Sequence, residues 1–262
     1  MASSAPPDMR DWGTVSPEEL ARLVIISPHL DDAVLGCSYL MAAHPGVTVI
    51  TAFAGRPAAY PDPVQHWDAL GGFGPGDDVH AVRRAEDAAA LARFDATAVW
   101  LDFVEHSYLD RADWIRPEQV VDELEVAVRA EAPTAVFAPF GLANPDHDCT
   151  HDAAMLLRER MRADAGGGPA WFCYEDMGYK HIPGLLAWRV SKLFRRGVWP
   201  TPAAVPVDVD HERKLAAVAC YPTQVLALEA EWAISTKLEA PAPEQSWRLA
   251  PPPAGWEALT DR

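Results

Sequence analysis

The sequence has few cysteines and comparatively few basic residues, and each shortage excludes a class of protein. Its four cysteines are Cys37, Cys149, Cys173 and Cys220. They form no CxxC pair and no zinc-finger spacing, so we expect reduced thiols that pack as small apolar side chains. Lysine and arginine number 22 against 38 aspartates and glutamates, which gives a net charge of −16. This charge disfavours a nucleic-acid groove and docking on an anionic membrane.

Long apolar segments are also missing. No apolar run reaches the ~18 residues expected of a membrane-spanning helix, and the N-terminal MASSAPPDMRDW lacks the apolar stretch of a secretory signal. We therefore expect a cytoplasmic protein without a membrane segment. The 262 residues are 49% hydrophobic and 23% charged, which is enough to build a large core. The oligomeric state is not determined by the sequence, and a homo-oligomer is one alternative.

Short apolar segments alternate with helical segments over the first two thirds of the chain. Strand patterns lie at 23–27, 47–55, 97–103, 134–141 and 170–176, and helical patterns at 16–23, 32–44, 79–94, 117–132, 147–162 and 212–221. Strands that are apolar on both faces are typical of a parallel sheet covered by helices. The sequence predicts an α/β fold with a mostly parallel sheet and helices on both faces. We expect one domain over 1–262, with a core over about 20–178 and a C-terminal cap or extension over about 179–262.

Metal-binding side chains follow two of the predicted strands. The segment PHLDD after the first strand contains His29, Asp31 and Asp32, and the segment after the fourth strand contains Asn144, Asp146, His147, Asp148 and His151. Because ligands of a parallel sheet bind beyond the carboxyl ends of its strands, we expect both clusters to lie at one edge.

Two imidazoles and one carboxylate form the ligand set of a catalytic zinc ion, because they leave one coordination position open. His29, one aspartate of the pair and His147 can supply this set, and the other aspartate can act as a general base. The alternative is that the aspartate pair only caps the following helix. The adjacent histidine and the second cluster favour the metal site.

These motifs resemble those of a known family. The segment PHLDDAVLG, followed after about a hundred residues by NPDHDCTH, is similar to the motifs of the PIG-L/LmbE-like deacetylases. Those zinc hydrolases remove acetyl groups from N-acetylglucosamine-type amides. The segments VRRAEDAAALARF, LDFVEHSYL and KLAAVACYPTQ also resemble family segments. The resemblance extends over most of the chain and implies a single Rossmann-like, LmbE-like deacetylase domain.

The resemblance also implies roles for individual residues. His29, Asp32 and His147 would bind one Zn²⁺ per chain, with Fe²⁺ as the alternative metal, and Asp31 would be the general base. The positions that bind the sugar in the family correspond to Arg83 and Glu105.

Two further residues are predicted to contact the substrate. They are Asp146, in the second cluster, and Trp67, in the long Gly- and Pro-rich loop 55–78. A loop of this length in a compact domain is often functional, and we expect a lid over the site. Its aromatic residues either stack on a sugar or only anchor the loop.

One position departs from the family pattern. The second family motif begins with a histidine that polarises the oxyanion, where this chain has Asn144. An asparagine can donate a hydrogen bond to an oxyanion but cannot act as a general acid. Either Asp31 carries both proton transfers, or His151 or His106 replaces the missing acid, or the reaction is slow or altered.

The sequence therefore predicts a metal-dependent hydrolase that cleaves the N-acyl amide, with N-acetyl the first choice, of an amino-sugar-containing small molecule. A glycoside intermediate of antibiotic biosynthesis is one such substrate. The alternatives are an amidase acting on a mycothiol-type conjugate and a catalytically impaired relative that acts as a binding protein. A phosphoacceptor receiver domain also has an acidic pair after its first strand, but it is much shorter and needs a lysine that is absent after TAVFAPFG.

Overall fold

The computed structural model describes residues 14–164 and 168–251. The strands in these residues are β1 (Leu23–Ser27), β2 (Thr48–Thr51), β3 (Thr97–Trp100), β4 (Ala135–Pro139), β5 (Ala170–Tyr174), β6 (Pro200–Ala203) and β7 (Ser246–Leu249). The α-helices are α1 (Asp32–Ala43), α2 (His66–Leu70), α3 (Val79–Leu91), α4 (Pro117–Glu131), α5 (Pro145–Arg162), α6 (Leu185–Arg195), α7 (His211–Val218), α8 (Pro222–Trp232) and α9 (Ile234–Lys237).

The seven strands form one mixed sheet in the order β3-β2-β1-β4-β5-β7-β6. The first five strands of the chain pair in parallel, and β7 and β6 add antiparallel pairs at one edge. This confirms the predicted α/β class with a mostly parallel sheet. The last two strands come from the predicted C-terminal extension, so that segment completes the sheet. The division into one domain over 1–262 stays a prediction, and residues 1–13, 165–167 and 252–262 lie outside the described part.

Alternate residues of the strands bury into two separate cores. Ile25 of β1 packs in a core that includes residues of α1, α3 and α7. Its neighbours Val24 and Ile26 pack in a second core with residues of α4 and α5. Because successive strand residues point to opposite faces, this distribution confirms that helices cover both faces of the sheet.

The predicted helix over 16–23 is wrong. The segment forms a turn, and Ser16 and Glu19 exchange two hydrogen bonds of 3.0 and 3.3 Å between backbone N–H groups and side-chain oxygens, as at the start of a helix. The chain enters β1 at Leu23, which leaves too few residues to offset the cost of helix nucleation.

The sheet order places a crevice beside the first strand. The chain turns to β2 on one side of β1 and to β4 on the other, so the strand order reverses between β1 and β4. Ligands of open α/β sheets bind at such switch points, beyond the carboxyl ends of the strands. The segments that leave β1, β4 and β5 therefore meet at one edge.

Two side chains of the C-terminal region form hydrogen bonds with backbone groups that a break in α1 leaves unpaired. The helix is interrupted at Cys37, with φ −135° and ψ 20°. The break frees the carbonyl of Leu35 and the N–H of Tyr39, which a regular helix would join. The Lys214 ammonium donates to the Leu35 carbonyl at 2.8 Å, and the Glu244 carboxylate accepts from the Tyr39 N–H at 2.8 Å. These two buried side chains also form an ion pair of 2.6 Å.

We expect Lys214→Met to destabilise the protein by about 3–5 kcal/mol, because it leaves the Glu244 carboxylate buried without its partner. Denaturant-induced unfolding would measure this change. The control is Lys192→Met, which removes a partly exposed lysine 3.8 Å from a half-exposed aspartate and should change stability little. A Lys214→Met protein as stable as the control would contradict a structural role for this ion pair.

Among the described residues, no helix combines the length and the hydropathy needed to cross a bilayer. The four cysteines are unpaired, as predicted.

Candidate functional site

A cavity of about 200 Å³ opens at the carboxyl edge of the sheet, beside β1, β4 and β5. One wall carries charged and polar side chains, namely His29, Asp31, Asp32, Glu105, Asn144, Asp146 and His147. The apolar part of the lining, here called the apolar wall, consists of Leu35, Trp67, Met177, Leu228, Trp232 and Ile234. The structure thus brings the two predicted clusters together around one cavity.

The turn after β1 is fixed by hydrogen bonds that involve Ser27 and Asp32 but not the side chain of Asp31. The Ser27 hydroxyl donates to the His29 carbonyl at 2.7 Å and accepts from the Ala33 N–H at 3.1 Å. The Asp32 carboxylate accepts from the His29 N–H at 3.0 Å. Asp31 stands at the N-cap position of α1, but its side chain makes no capping hydrogen bond within the described chain. The pair therefore does more than cap a helix.

Three side chains of the polar wall converge on one point. Oδ2 of Asp32 lies 3.3 Å from Nδ1 of His29 and 3.1 Å from Nε2 of His147. One potential ligand atom from each of the three residues lies within 4.8 Å of the others. Two imidazole nitrogens and one carboxylate oxygen are a ligand set suited to zinc, and the cavity leaves a further coordination position accessible.

Both imidazoles are held by a second carboxylate on their far side. Nδ1 of His147 lies 2.5 Å from Oδ1 of the buried Asp176, and Nε2 of His29 lies 3.0 Å from Oδ2 of Asp146. A carboxylate in this position accepts the N–H of the ring and turns the lone pair of the other nitrogen toward a metal. The arrangement around Asp32 therefore fits a metal site whose histidine ligands are each supported by a carboxylate.

His29 also belongs to a second group of potential ligands. It comprises His29, Glu105 and Asp146, whose ligand atoms likewise lie within 4.8 Å of one another. Asp146 is already paired with two imidazoles, because its Oδ1 lies 2.8 Å from Nδ1 of the buried His106. The group around Asp32 fits a metal better, since each of its histidines has its own carboxylate partner.

The charges of the site act strongly on its titrating groups. Burial, followed by the negative charge of Asp32, raises the pKa of Asp31 to about 7. Burial also disfavours the ionised form of Asp32, but the two histidines outweigh it and hold its pKa well below the usual range. Burial disfavours charged His147, yet the Asp32 and Asp176 carboxylates raise its pKa to about 9. The carboxylates thus favour a positive charge at the position of the imidazoles. A divalent cation bound by the neutral rings would provide that charge.

The predicted substrate-binding residues fall into two groups. Glu105, Asp146 and Trp67 line the cavity, and the Trp67 indole N–H donates to the Gln224 side chain at 2.9 Å. Arg83 is buried behind them and is absent from the cavity wall formed by the described residues. The Arg83 guanidinium donates to Asp68 at 2.9 Å and lies 3.7 Å from the Glu105 carboxylate. Arg83 can therefore hold Glu105 in place, and it acts on the cavity only through Glu105. Their roles toward a substrate stay predictions.

Asn144 stands at the N-cap of α5, where its side-chain oxygen accepts the Asp146 N–H at 2.7 Å. This cap also explains why α5 begins at Pro145, two residues before the predicted start. Because the oxygen is occupied, the amide NH₂ is the end that is free to donate. Burial, followed by the Asp32 charge, raises the pKa of the Tyr179 hydroxyl, and the nearby Asn144 side chain only partly offsets this rise, so that hydroxyl stays protonated at neutral pH.

Sequence reasoning missed three residues of the site. Asp176 and Tyr179 follow β5 as His29 follows β1, so the same strand-end argument could have found them. Gln224 ends the segment KLAAVACYPTQ that resembles the family, but no role was predicted for it. The apolar residues of α8 and α9 carried no such signal, because the helices there were not predicted.

We expect Asp176→Asn to lower metal affinity by about 10–100-fold, since it weakens the hold on the His147 ring. Competition with a chromophoric chelator would measure the change. Glu175→Gln is the matched control, because that carboxylate accepts the Trp247 indole N–H instead. Equal metal affinity in the two variants would contradict the supporting role of Asp176.

Solved structures of deacetylases share this fold. The deacetylase triple mutant of the teicoplanin biosynthetic pathway is 25% identical, with a TM-score of 0.68 over 89% of this chain and 100% of that chain. The A40926 pseudoaglycone deacetylase is 26% identical, with a TM-score of 0.69 over 89% of this chain and 99% of that chain. The zinc-inhibited form of a teicoplanin deacetylase, at 23% identity and a TM-score of 0.66 over 89% and 100% of the two chains, shows the fold alone. Among curated protein sequences, none matches this chain.

A family model agrees with the site and the fold. The model described as GlcNAc-PI de-N-acetylase matches residues 24–157, which is more than half of the chain. This span contains all the residues named above for the polar wall of the cavity, including the three candidate metal ligands. The chain therefore belongs to the PIG-L family, the GlcNAc-PI de-N-acetylases.

Proposed function

We propose that this protein is a zinc-dependent hydrolase that removes the N-acetyl group from an amino sugar carried by a larger glycoside. The observation that carries the proposal is the position of Asp31, a buried carboxylate that lines the cavity next to the His29, Asp32 and His147 group. Membership of a de-N-acetylase family supports hydrolysis of an N-acyl amide. Ferrous iron is the alternative metal.

In this proposal, His29, Asp32 and His147 hold the ion. Bound there, zinc would supply Lewis-acid polarisation of the amide carbonyl and would lower the pKa of the attacking water. Asp31 accepts the proton of that water, since burial and the Asp32 charge raise the pKa of its carboxyl group above the ordinary value. The same carboxyl group then returns the proton to the departing nitrogen, which yields a free amine and acetate.

The cavity walls support a substrate with a polar and an apolar part. The Glu105 carboxylate can accept hydrogen bonds from sugar hydroxyl groups, and Trp67 offers a ring face for stacking. The apolar wall from α8 and α9 can contact an aglycone. The two similar structures at 25% and 26% identity are deacetylases of glycopeptide antibiotic pathways, which supports a natural-product glycoside over a simple sugar.

The test is a substrate panel with zinc-loaded protein. It comprises a simple N-acetylglucosaminide, an N-acylated glycopeptide pseudoaglycone and a mycothiol-type conjugate, with release of the free amine as the readout. We expect turnover of the acylated glycosides that stops when a chelator removes the metal. Turnover of the thiol conjugate alone would favour the amidase, and binding without turnover of any amide would favour the binding protein.

A further inference from the structure

We propose that Tyr179 is a further catalytic residue, whose hydroxyl donates a hydrogen bond to the oxygen of the scissile amide as that oxygen gains negative charge. Asn144 holds the hydroxyl in position. No proton is transferred in this step. The inference rests on the proposed function. It assigns to Tyr179 the contact with the oxyanion that the family's histidine makes, at the motif position where this chain has Asn144.

The two histidines considered as replacements do not reach the cavity. His151 is fully buried, and its Nδ1 is bonded to the Pro139 carbonyl at 2.8 Å. The Nε2 of buried His106 is bonded to the Ile115 carbonyl at 2.9 Å. Neither is among the cavity-lining side chains of the described residues. A donor for the amide oxygen must therefore come from another element.

Tyr179 lies where such a donor is needed. It follows β5 at the carboxyl edge of the sheet and lines the cavity beside the three candidate metal ligands. Its ring meets the His147 ring edge-on, with centroids 5.2 Å apart and an interplanar angle of 90°. Trp232 meets the same ring at 5.2 Å and 86°. These two contacts fix the phenol ring next to the His147 imidazole.

The orientation of the Asn144 side chain leaves the Tyr179 hydroxyl as a donor to the oxygen of the scissile amide. The side-chain oxygen of Asn144 is occupied by the Asp146 N–H, and both Asn144 and Tyr179 line the cavity, so its NH₂ group is the end that can donate to the Tyr179 hydroxyl. A tyrosine oxygen that accepts from this NH₂ group keeps its own proton available for another acceptor. Donors that are held in place before the reaction stabilise a developing oxyanion most effectively. The second N–H of the Asn144 amide can donate a second hydrogen bond to the oxygen of the scissile amide.

Tyr179→Phe tests the inference, since it keeps the ring that packs between His147 and Trp232 and removes only the hydroxyl. We expect kcat to fall by about 10²–10³-fold with KM little changed, as for loss of one oxyanion donor. A methylphosphonamidate of glucosamine, which presents tetrahedral anionic oxygens, should bind more weakly by a similar factor. Metal content should stay as in the wild type.

Two further variants separate catalysis from folding. Tyr60→Phe is the matched control, because that hydroxyl donates to Asp78 at 2.9 Å and Tyr60 is not part of the cavity wall among the described residues. Asn144→Ser keeps an oxygen that can cap α5 and removes the NH₂ donor. It should reduce kcat, and combining it with Tyr179→Phe should cost less than the product of the two single effects, since the residues act as a unit.

The outcomes distinguish the two proposals. If the wild type hydrolyses an amide while Tyr179→Phe matches Tyr60→Phe in kcat and phosphonamidate affinity, the role of Tyr179 is wrong and the proposed function stands. Loss of metal from Tyr179→Phe would also overturn the inference, because the residue would then be structural. If the wild type neither hydrolyses an amide nor binds the phosphonamidate, both proposals are wrong.

Discussion

We expect His147→Ala to purify with almost no bound metal and to lose at least ~10³-fold in turnover. The substitution removes one of the three candidate ligands and leaves the Asp32 and Asp176 carboxylates without their shared imidazole. Losing about 4 kcal/mol of transition-state stabilisation, a reasonable value for metal polarisation of a carbonyl, corresponds to this factor. Elemental analysis per chain and amine release would measure the two effects side by side.

His44→Ala is the matched control, because His44 stands at the opposite end of α1 from the candidate ligand Asp32. It should keep both metal and activity. A His147→Ala protein with the metal content of this control would contradict the assignment of His147 as a ligand.

Asp31→Asn should have the second largest effect, a loss of about 10²–10⁴-fold in kcat with the metal retained. The amide keeps the shape of the side chain but cannot accept the proton of the attacking water. Asp102→Asn, on an exposed carboxylate that pairs with Arg84, is the control and should be neutral. A turnover unchanged by Asp31→Asn would end its assignment as the general base.

The same residue should set the acid limb of the pH profile. The base acts in its ionised form, so activity falls as pH drops below the pKa of Asp31. Burial and the Asp32 charge raise that pKa to about 7, and a divalent cation beside it would lower it again. We therefore expect the acid limb of kcat/KM at or below pH 7 in the wild type and its absence in the residual activity of Asp31→Asn.

The parts of the fold with strong local signals were predictable from the sequence. The bounds of β1 agree with the prediction, because four consecutive apolar residues begin LVIIS and a proline directly follows it. The two clusters of polar residues were also visible, since each directly follows a strand of a parallel sheet. Asp32 and His147 therefore came together as expected.

The remaining elements had weak or misleading signals. Two of the four residues of β6 are prolines, Pro200 and Pro202, which disfavour a strand, and the structure places this strand at the edge of the sheet, where proline is tolerated. The break of α1 at Cys37 depends on Lys214 and Glu244, about 180 and 200 residues away, and no local pattern reveals such contacts. Contacts between residues far apart in the chain thus determined the elements that local sequence patterns did not predict.

The boundary of the family match also separates two parts of the cavity. The candidate metal ligands lie within residues 24–157, whereas Met177, Leu228 and Trp232 of the apolar wall lie beyond them. The candidate metal ligands and the proposed general base therefore belong to the segment that matches the family, whereas the proposed oxyanion donor Tyr179 lies beyond it. We expect the residues after it to determine which acylated glycoside is accepted.

The most direct test of the metal site is anomalous diffraction at the zinc absorption edge from crystals of the zinc-loaded protein. We expect one strong peak bounded by Nδ1 of His29, the Asp32 carboxylate and Nε2 of His147, with Asp31 beside it. A peak between His29, Glu105 and Asp146 instead, or no peak at this edge of the sheet, would contradict the site on which the proposed hydrolysis depends.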